Sequence, residues 1–180
     1  MRVGVSSVAD VMELLDQIDA AAGGRSYYLA LMGALTVPDI AGALASPTGR
    51  ASARSYENWV QGNLPWWGDT DRAGLLYHYR STMLHQNRAS ADERKGLPRL
   101  LFREPNLEYN VLVHNASITK GESRAIIIDT REFCNEVTSA GRVWLDRNSH
   151  DGHVVRNLDQ SLRRYEHGLS PFMTGVSLIG

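Results

Sequence analysis

Apolar positions in the first half of the chain recur at intervals of three and four, the period of a helix with one buried face. Val8, Val11, Met12, Leu15 and Ile18 form the first such stripe and predict a helix from Ser7 to about Ala22. Ser7 is placed to cap its start, and Gly23-Gly24 ends it. A second helix starts near Ser26 and carries Leu29, Leu31, Met32 and Leu35. Pro38 lacks the N–H that a helix interior needs, which predicts a kink or break at Thr36-Val37. A short helix burying Ile40, Ala41 and Leu44 would follow. Ser46-Pro47-Thr48-Gly49 has turn chemistry, and Ser52 then caps a third helix holding Tyr56, Trp59 and Val60. Asn63 to Asp69 is an aromatic-rich loop whose tryptophans are expected to pack in the core rather than stack on bases. Asp69 or Thr70 caps the next helix, from about Asp71 to Gln86, with Leu75, Leu76, Tyr79, Met83 and Leu84 as its core stripe.

The pattern then changes. Arg88 to Gly96 is polar and reads as a loop, whereas Leu100–Phe102, Tyr109–Ser117 and Arg124–Ile128 read as short strands. Asp129-Thr130-Arg131-Glu132 has capping-box spacing and predicts a helix with Phe133, Val137, Ala140, Trp144 and Leu145 on one face. Asn148 to Gly152 breaks that helix. A last helix from about Gly152 to His167 would bury Val154, Val155, Leu158, Leu162 and Tyr165, with Arg156, Arg163 and Arg164 on a solvated face. The expected fold class is therefore mainly α. It is a helical bundle of five or six helices in one domain over residues 1–180, with a small antiparallel β insertion at about 98–128.

Composition narrows the class. The 180 residues, 43% hydrophobic and 22% charged, suffice for one ordinary globular core. A net charge of -1 gives no global field toward nucleic acid or an anionic membrane, so any such site must be local. Cys134 is the single cysteine, which rules out an intrachain disulfide framework and a thiolate zinc cluster. Met1 to Asp10 holds no apolar run of signal-peptide length, and Gly33, Pro38, Asp39 and Gly42 interrupt the longest apolar stretch, Tyr27 to Ala45. A cytoplasmic protein with no membrane partner is expected, and the Asn115-Ala116-Ser117 sequon is read as accidental.

One segment carries a chemical lead. His78-Tyr79-Arg80-Ser81-Thr82-Met83-Leu84-His85-Gln86 contains Arg-x4-His near the end of a predicted helix. In that setting the motif resembles the HEPN superfamily, helical domains in which an Arg-x(4 to 6)-His motif cleaves RNA without a metal. The same stretch is similar to an "Arg-x-x-Leu-Leu-His-Gln" element in a group of small bacterial proteins related to that superfamily. Asp39-Ile40-Ala41-Gly42-Ala43-Leu44 matches that group's "Asp-Ile-x-x-Ala-Leu" element. Ile128-Asp129 followed by Phe133-Cys134 fits its strand running into a helix that opens with Phe-Cys. The resemblance spans residues 39 to 134 and implies a metal-independent endoribonuclease of a toxin or phage-defence type, acting on RNA as a homodimer without a cofactor.

The chemistry can be argued from the residue types. RNA cleavage needs a base for the 2′-hydroxyl, an acid for the leaving oxygen, and a cation for the charge growing on the phosphoryl oxygens. Arg80 would bind and polarise phosphate, His85 would act as base or acid, and Ser81 would help position them. One such pair is too few for a complete acid–base site, and a two-fold axis would bring two pairs into one cleft. At about 100° per residue, five positions set Arg80 and His85 about 140° apart around a straight helix, so they converge only where the helix ends or distorts. Asn87 marks such an end. The competing reading is a non-catalytic helical module that binds a protein partner or a nucleotide. There Arg80 is a buried structural arginine paired with Asp39, and His85 bonds the chain leaving the helix.

Other candidates are weaker. His150-x-x-His153 with Asp151 lacks a third ligand nearby and reads as a solvated loop rather than a metal site. His114 reads as a half-buried sheet residue, and Cys134 as a packed small side chain rather than a nucleophile.

Overall fold

The structure, a computed structural model, describes residues 5–86, 97–105 and 112–180. It is mainly helical, with six α-helices among the described residues: α1 Val5–Gly23, α2 Tyr27–Ala45, α3 Ala53–Asn63, α4 Thr70–Gln86, α5 Thr130–Asn148 and α6 Gly152–Leu158. Helix α2 is central and packs against α1, α3, α5 and α6, while α4 lies on α3 and α2. Leu35, Tyr56, Trp67, Leu76, Ile128 and Phe133 meet in one continuous core. Trp67 is fully buried, with Trp66 and Phe133 edge-on to its ring, so its role is packing. By length and composition α2 could cross a membrane; in this fold it is a core helix with half its apolar window buried.

Several helix starts follow local chemistry. Ser52 caps α3 through a reciprocal box in which its Oγ accepts from the Ser55 N–H at 3.1 Å and the Ser55 Oγ accepts from the Ser52 N–H at 2.8 Å. Asp69 precedes α4, and its Oδ1 accepts from the Arg72 N–H at 2.8 Å. Asp129 caps α5, its Oδ1 accepting from the N–H groups of Arg131 and Glu132 at 3.1 and 3.2 Å.

Several expectations need correction. Helix α1 begins at Val5, so Ser7 lies inside it rather than at its cap. The break at Thr36-Val37 does not occur, and α2 runs unbroken through Pro38. Its neighbours hold it: Pro38 and Val37 are buried, α1 approaches so closely that a side-chain carbon on Gly33 would meet Ile18 at 2.7 Å, and Thr36 Oγ1 donates to the Gly33 carbonyl at 2.7 Å. Tertiary packing thus outweighs the lost N–H of one proline. Leu29, counted in the α2 stripe, is 67% exposed.

The β insertion is not purely antiparallel. Strands β1 Arg99–Arg103, β2 Ala116–Lys120 and β3 Ser123–Asp129 form a mixed sheet in the order β1-β3-β2. β2 and β3 make a hairpin about Gly121, whose φ of +59° suits a residue without a side chain, whereas β1 runs parallel to β3 with Leu100 opposite Ile126 and Phe102 opposite Ile128. The expected second strand, Tyr109–Ser117, is also displaced: 112–115 are not strand, and positions 109–111 lie outside the described residues, as do Asn87 and the loop over 88–96.

The last helix stops at Leu158 instead of reaching His167. The Arg163 side chain donates to the Leu158 and Asp159 carbonyls, capping the helix end, and the chain continues as short strand pairs. These are β4 Arg164–Tyr165 with β7 Leu178–Ile179, and β5 Gly168–Leu169 with β6 Met173–Thr174. Val155 and Leu162, expected in the core, are exposed. Arg156 and Arg164, expected only to be solvated, hold the Pro47 carbonyl and Glu13 respectively.

Candidate functional site

Helix α2 presents Asp39 directly after Pro38, and α4 presents Arg80 opposite it. Arg80 Nε and Nη2 both donate to Asp39 Oδ2 at 2.5 Å. The two side chains are only 18% and 16% exposed, so the pair lies largely inside the fold. Behind it sits Tyr56 of α3, fully buried, whose hydroxyl has no hydrogen-bond partner among the described residues. Tyr77 stands edge-on to the Tyr56 ring at 5.3 Å, and the Arg80 guanidinium lies 5.9 Å from the Tyr77 ring centre. Three helices, one ion pair and two tyrosines thus make a single polar inclusion in the core wall.

Burial governs its electrostatics. Desolvation pushes the Asp39 carboxyl above its usual range; Arg80, and beyond it His85, pull it back without cancelling the rise. Burial likewise drives the Tyr56 hydroxyl well up, with Asp39 adding to the effect, so this phenol stays protonated.

The three sequence candidates fall in different surroundings. Arg80 is engaged with Asp39, Ser81 is half-buried beside it, and His85 is exposed in the last turn of α4. Among the described residues His85 makes no hydrogen bond. It is near enough for its charge to act on Asp39, yet the structure joins Arg80 to Asp39 and not to His85. The sequence placed Tyr56 only among the apolar positions of the third helix and did not single out Tyr77. Only the placement of Tyr77 three positions before Arg80, on the same side of a helix, hints at that contact.

A second polar cluster anchors the sheet to α5. His114 Nδ1 accepts from the Asp129 N–H at 3.2 Å, and its Nε2 lies 3.2 Å from Glu136 Oε1. Both ring nitrogens are therefore occupied. Burial raises the Glu136 carboxyl, His114 pulls it down, and Glu132 adds a further push upward. Cys134 is fully buried with its thiol pushed up to about 12, chiefly by burial and then by Asp19 and Asp129, the state of a packing residue and not a nucleophile. Asp151 caps α6 and His153 Nδ1 contacts Arg156 Nη2 at 2.8 Å; among the described residues no three His, Cys, Asp or Glu side chains gather as metal ligands.

No protein-family model, curated protein or solved structure matches this chain.

Proposed function

We propose that this chain is a non-catalytic helical module of HEPN-like kind that binds a protein partner or a nucleotide. One observation carries the reading: two donors of the Arg80 fork are spent on Asp39 in a largely buried pair. A phosphate could take those donors only by displacing an internal carboxylate, which would leave Asp39 largely buried and unpaired. Arg80 in this reading is a structural tie between α2 and α4.

A second reading is favoured by a specific feature, the exposed His85 beside the same pair. A histidine that is solvent-accessible and free of hydrogen bonds among the described residues is placed to exchange protons with a ligand. In that reading the protein is a cytoplasmic homodimeric endoribonuclease, with Arg80 polarising phosphate, His85 as acid or base, and Ser81 positioning them.

Incubation of wild type and His85→Ala with total RNA in EDTA separates the two. The module reading expects no cleavage from either protein and nearly equal melting temperatures, since His85 makes no hydrogen bond among the described residues. Cleavage by wild type that falls by about 10²–10⁴ in the variant would overturn it in favour of the nuclease.

A further inference from the structure

The hairpin of β2 and β3 fixes which backbone groups face outward. Lys120 pairs with Ser123 across a turn of Gly121 and Glu122 alone. That pair must exchange both of its N–H···O bonds, because the alternative pattern would bond the adjacent residues 121 and 122 to each other. Bonded pairs alternate with unbonded ones, so Ile118–Ala125 and Ala116–Ile127 are bonded, while Ser117 and Thr119 are not bonded to β3. The N–H and C=O groups of Ser117 and Thr119 therefore point away from the hairpin. β2 is an edge of the sheet, and these four groups have no partner among the described residues.

The two edges of the sheet differ. β1 is bounded by Arg99 and Arg103, and its Leu100 is buried. In β2 the residues Ser117, Ile118, Thr119 and Lys120 are all exposed, there is no proline, and the one charge, Lys120, stands at the turn. Devices that keep an edge from pairing are thus scant on this strand. Its outward face is apolar as well. Ile126 and Ile128 of β3 point into the core, so Ala125 and Ile127 lie on the opposite face, in rows with Ile118 and Ala116 of β2 and Leu101 of β1. Ile118 is 51% exposed there.

We propose that β2 pairs with β2 of a second copy of this chain, antiparallel about a two-fold axis at Ile118, to make one six-stranded sheet. Self-complementarity favours a second copy over an unrelated strand. With the axis at Ile118, Ser117 meets the partner's Thr119 and Thr119 meets the partner's Ser117, so every outward group on both strands bonds at once. An axis at Ser117 would set Thr119 against Asn115, whose backbone is left-handed with φ +58°. An axis at Thr119 would set Ser117 against the turn at Gly121. The side chains agree with the Ile118 register. The two isoleucines meet on the apolar face, the Ser and Thr hydroxyls meet on the other, and Lys120 lies opposite the partner's Ala116 and not another charge. Arg80, Ser81 and His85 belong to α4 and not to β2, so the pairing stands whichever reading of their motif holds.

Oxidative cross-linking of the full chain tests the register. Facing Cα atoms of an unbonded antiparallel pair are about 4.5 Å apart, within reach of a disulfide. Ile118→Cys is therefore expected to form a covalent dimer under mild oxidant. Lys120→Cys is not, since the two copies of that position lie four residues apart along the strands, about 13 Å. Cys134 is fully buried and does not compete. Sedimentation velocity of the wild type should show a dimer that grows with concentration from the micromolar to the sub-millimolar range. Thr119→Pro removes an outward N–H without touching the ladder to β3, and should weaken the dimer at least about ten-fold. Ile118→Lys sets like charges against each other across the axis and should weaken it at least about as much. A wild type that stays monomeric throughout, a dimer unmoved by both substitutions, or cross-linking at Lys120→Cys as fast as at Ile118→Cys would overturn the pairing.

Discussion

Asp39 and Arg80 stand 41 positions apart in the chain, on α2 and α4, and are joined through both Nε and Nη2 of the arginine at 2.5 Å. Because both side chains are more than four-fifths buried, removing either one strands the other as a charge with little access to water. Asp39→Ala or Arg80→Ala should therefore each cost about 2–4 kcal/mol of stability. The combined replacement Asp39→Leu with Arg80→Met should cost less than either single change, since no unpaired charge remains. Urea denaturation of the three variants measures this. Additive losses would show that the two residues act independently.

The cap of α5 offers a second check. Asp129 is 3% exposed, ends β3, and accepts from two N–H groups of the first turn. Asp129→Ala should lower stability by about 1–2 kcal/mol, whereas Asp129→Asn keeps a capping oxygen and should lose much less. An unfolding midpoint unmoved in the alanine variant would show that the cap contributes nothing.

Glu136 should leave a signature in the pH dependence of stability. Its carboxyl is raised by burial, so the folded state holds its proton more tightly than the unfolded chain does. The stabilising contribution is then complete below the ordinary glutamate value of about 4.3. It is lost as pH rises through the raised folded value. Subtracting the stability curve of Glu136→Gln from that of wild type isolates this group from Asp39, which shifts in the same direction. A difference curve that is flat, or that rises with pH across this window, would contradict the assignment.

What the sequence by itself determined is what short-range chemistry dictates. The starts of α3, α4 and α5 depend on side chains that bond N–H groups two or three positions away, at Ser52, Asp69 and Asp129. Their buried faces follow from the helical period, as Tyr56, Trp59, Val60, Leu75, Leu76, Tyr79 and Met83 show. The Arg80 and His85 positions were legible as a motif, and Asp39 as a partner for Arg80 in one of two open readings.

Tertiary structure decided everything that depends on neighbours distant in the chain. Pro38 stays inside α2 because α1 and α5 pack around it, a constraint no local rule contains. β1 lies parallel to β3, with buried Leu100 opposite buried Ile126, and alternation within a strand says nothing about the direction of its partner. Leu162 continued a helical stripe on paper, yet the chain turns away once Arg163 caps α6. The state of Arg80 belongs to the same class. An Arg-x4-His spacing reads the same whether the guanidinium meets solvent or a carboxylate, and only the packing of α4 on α2 sets Asp39 within its reach.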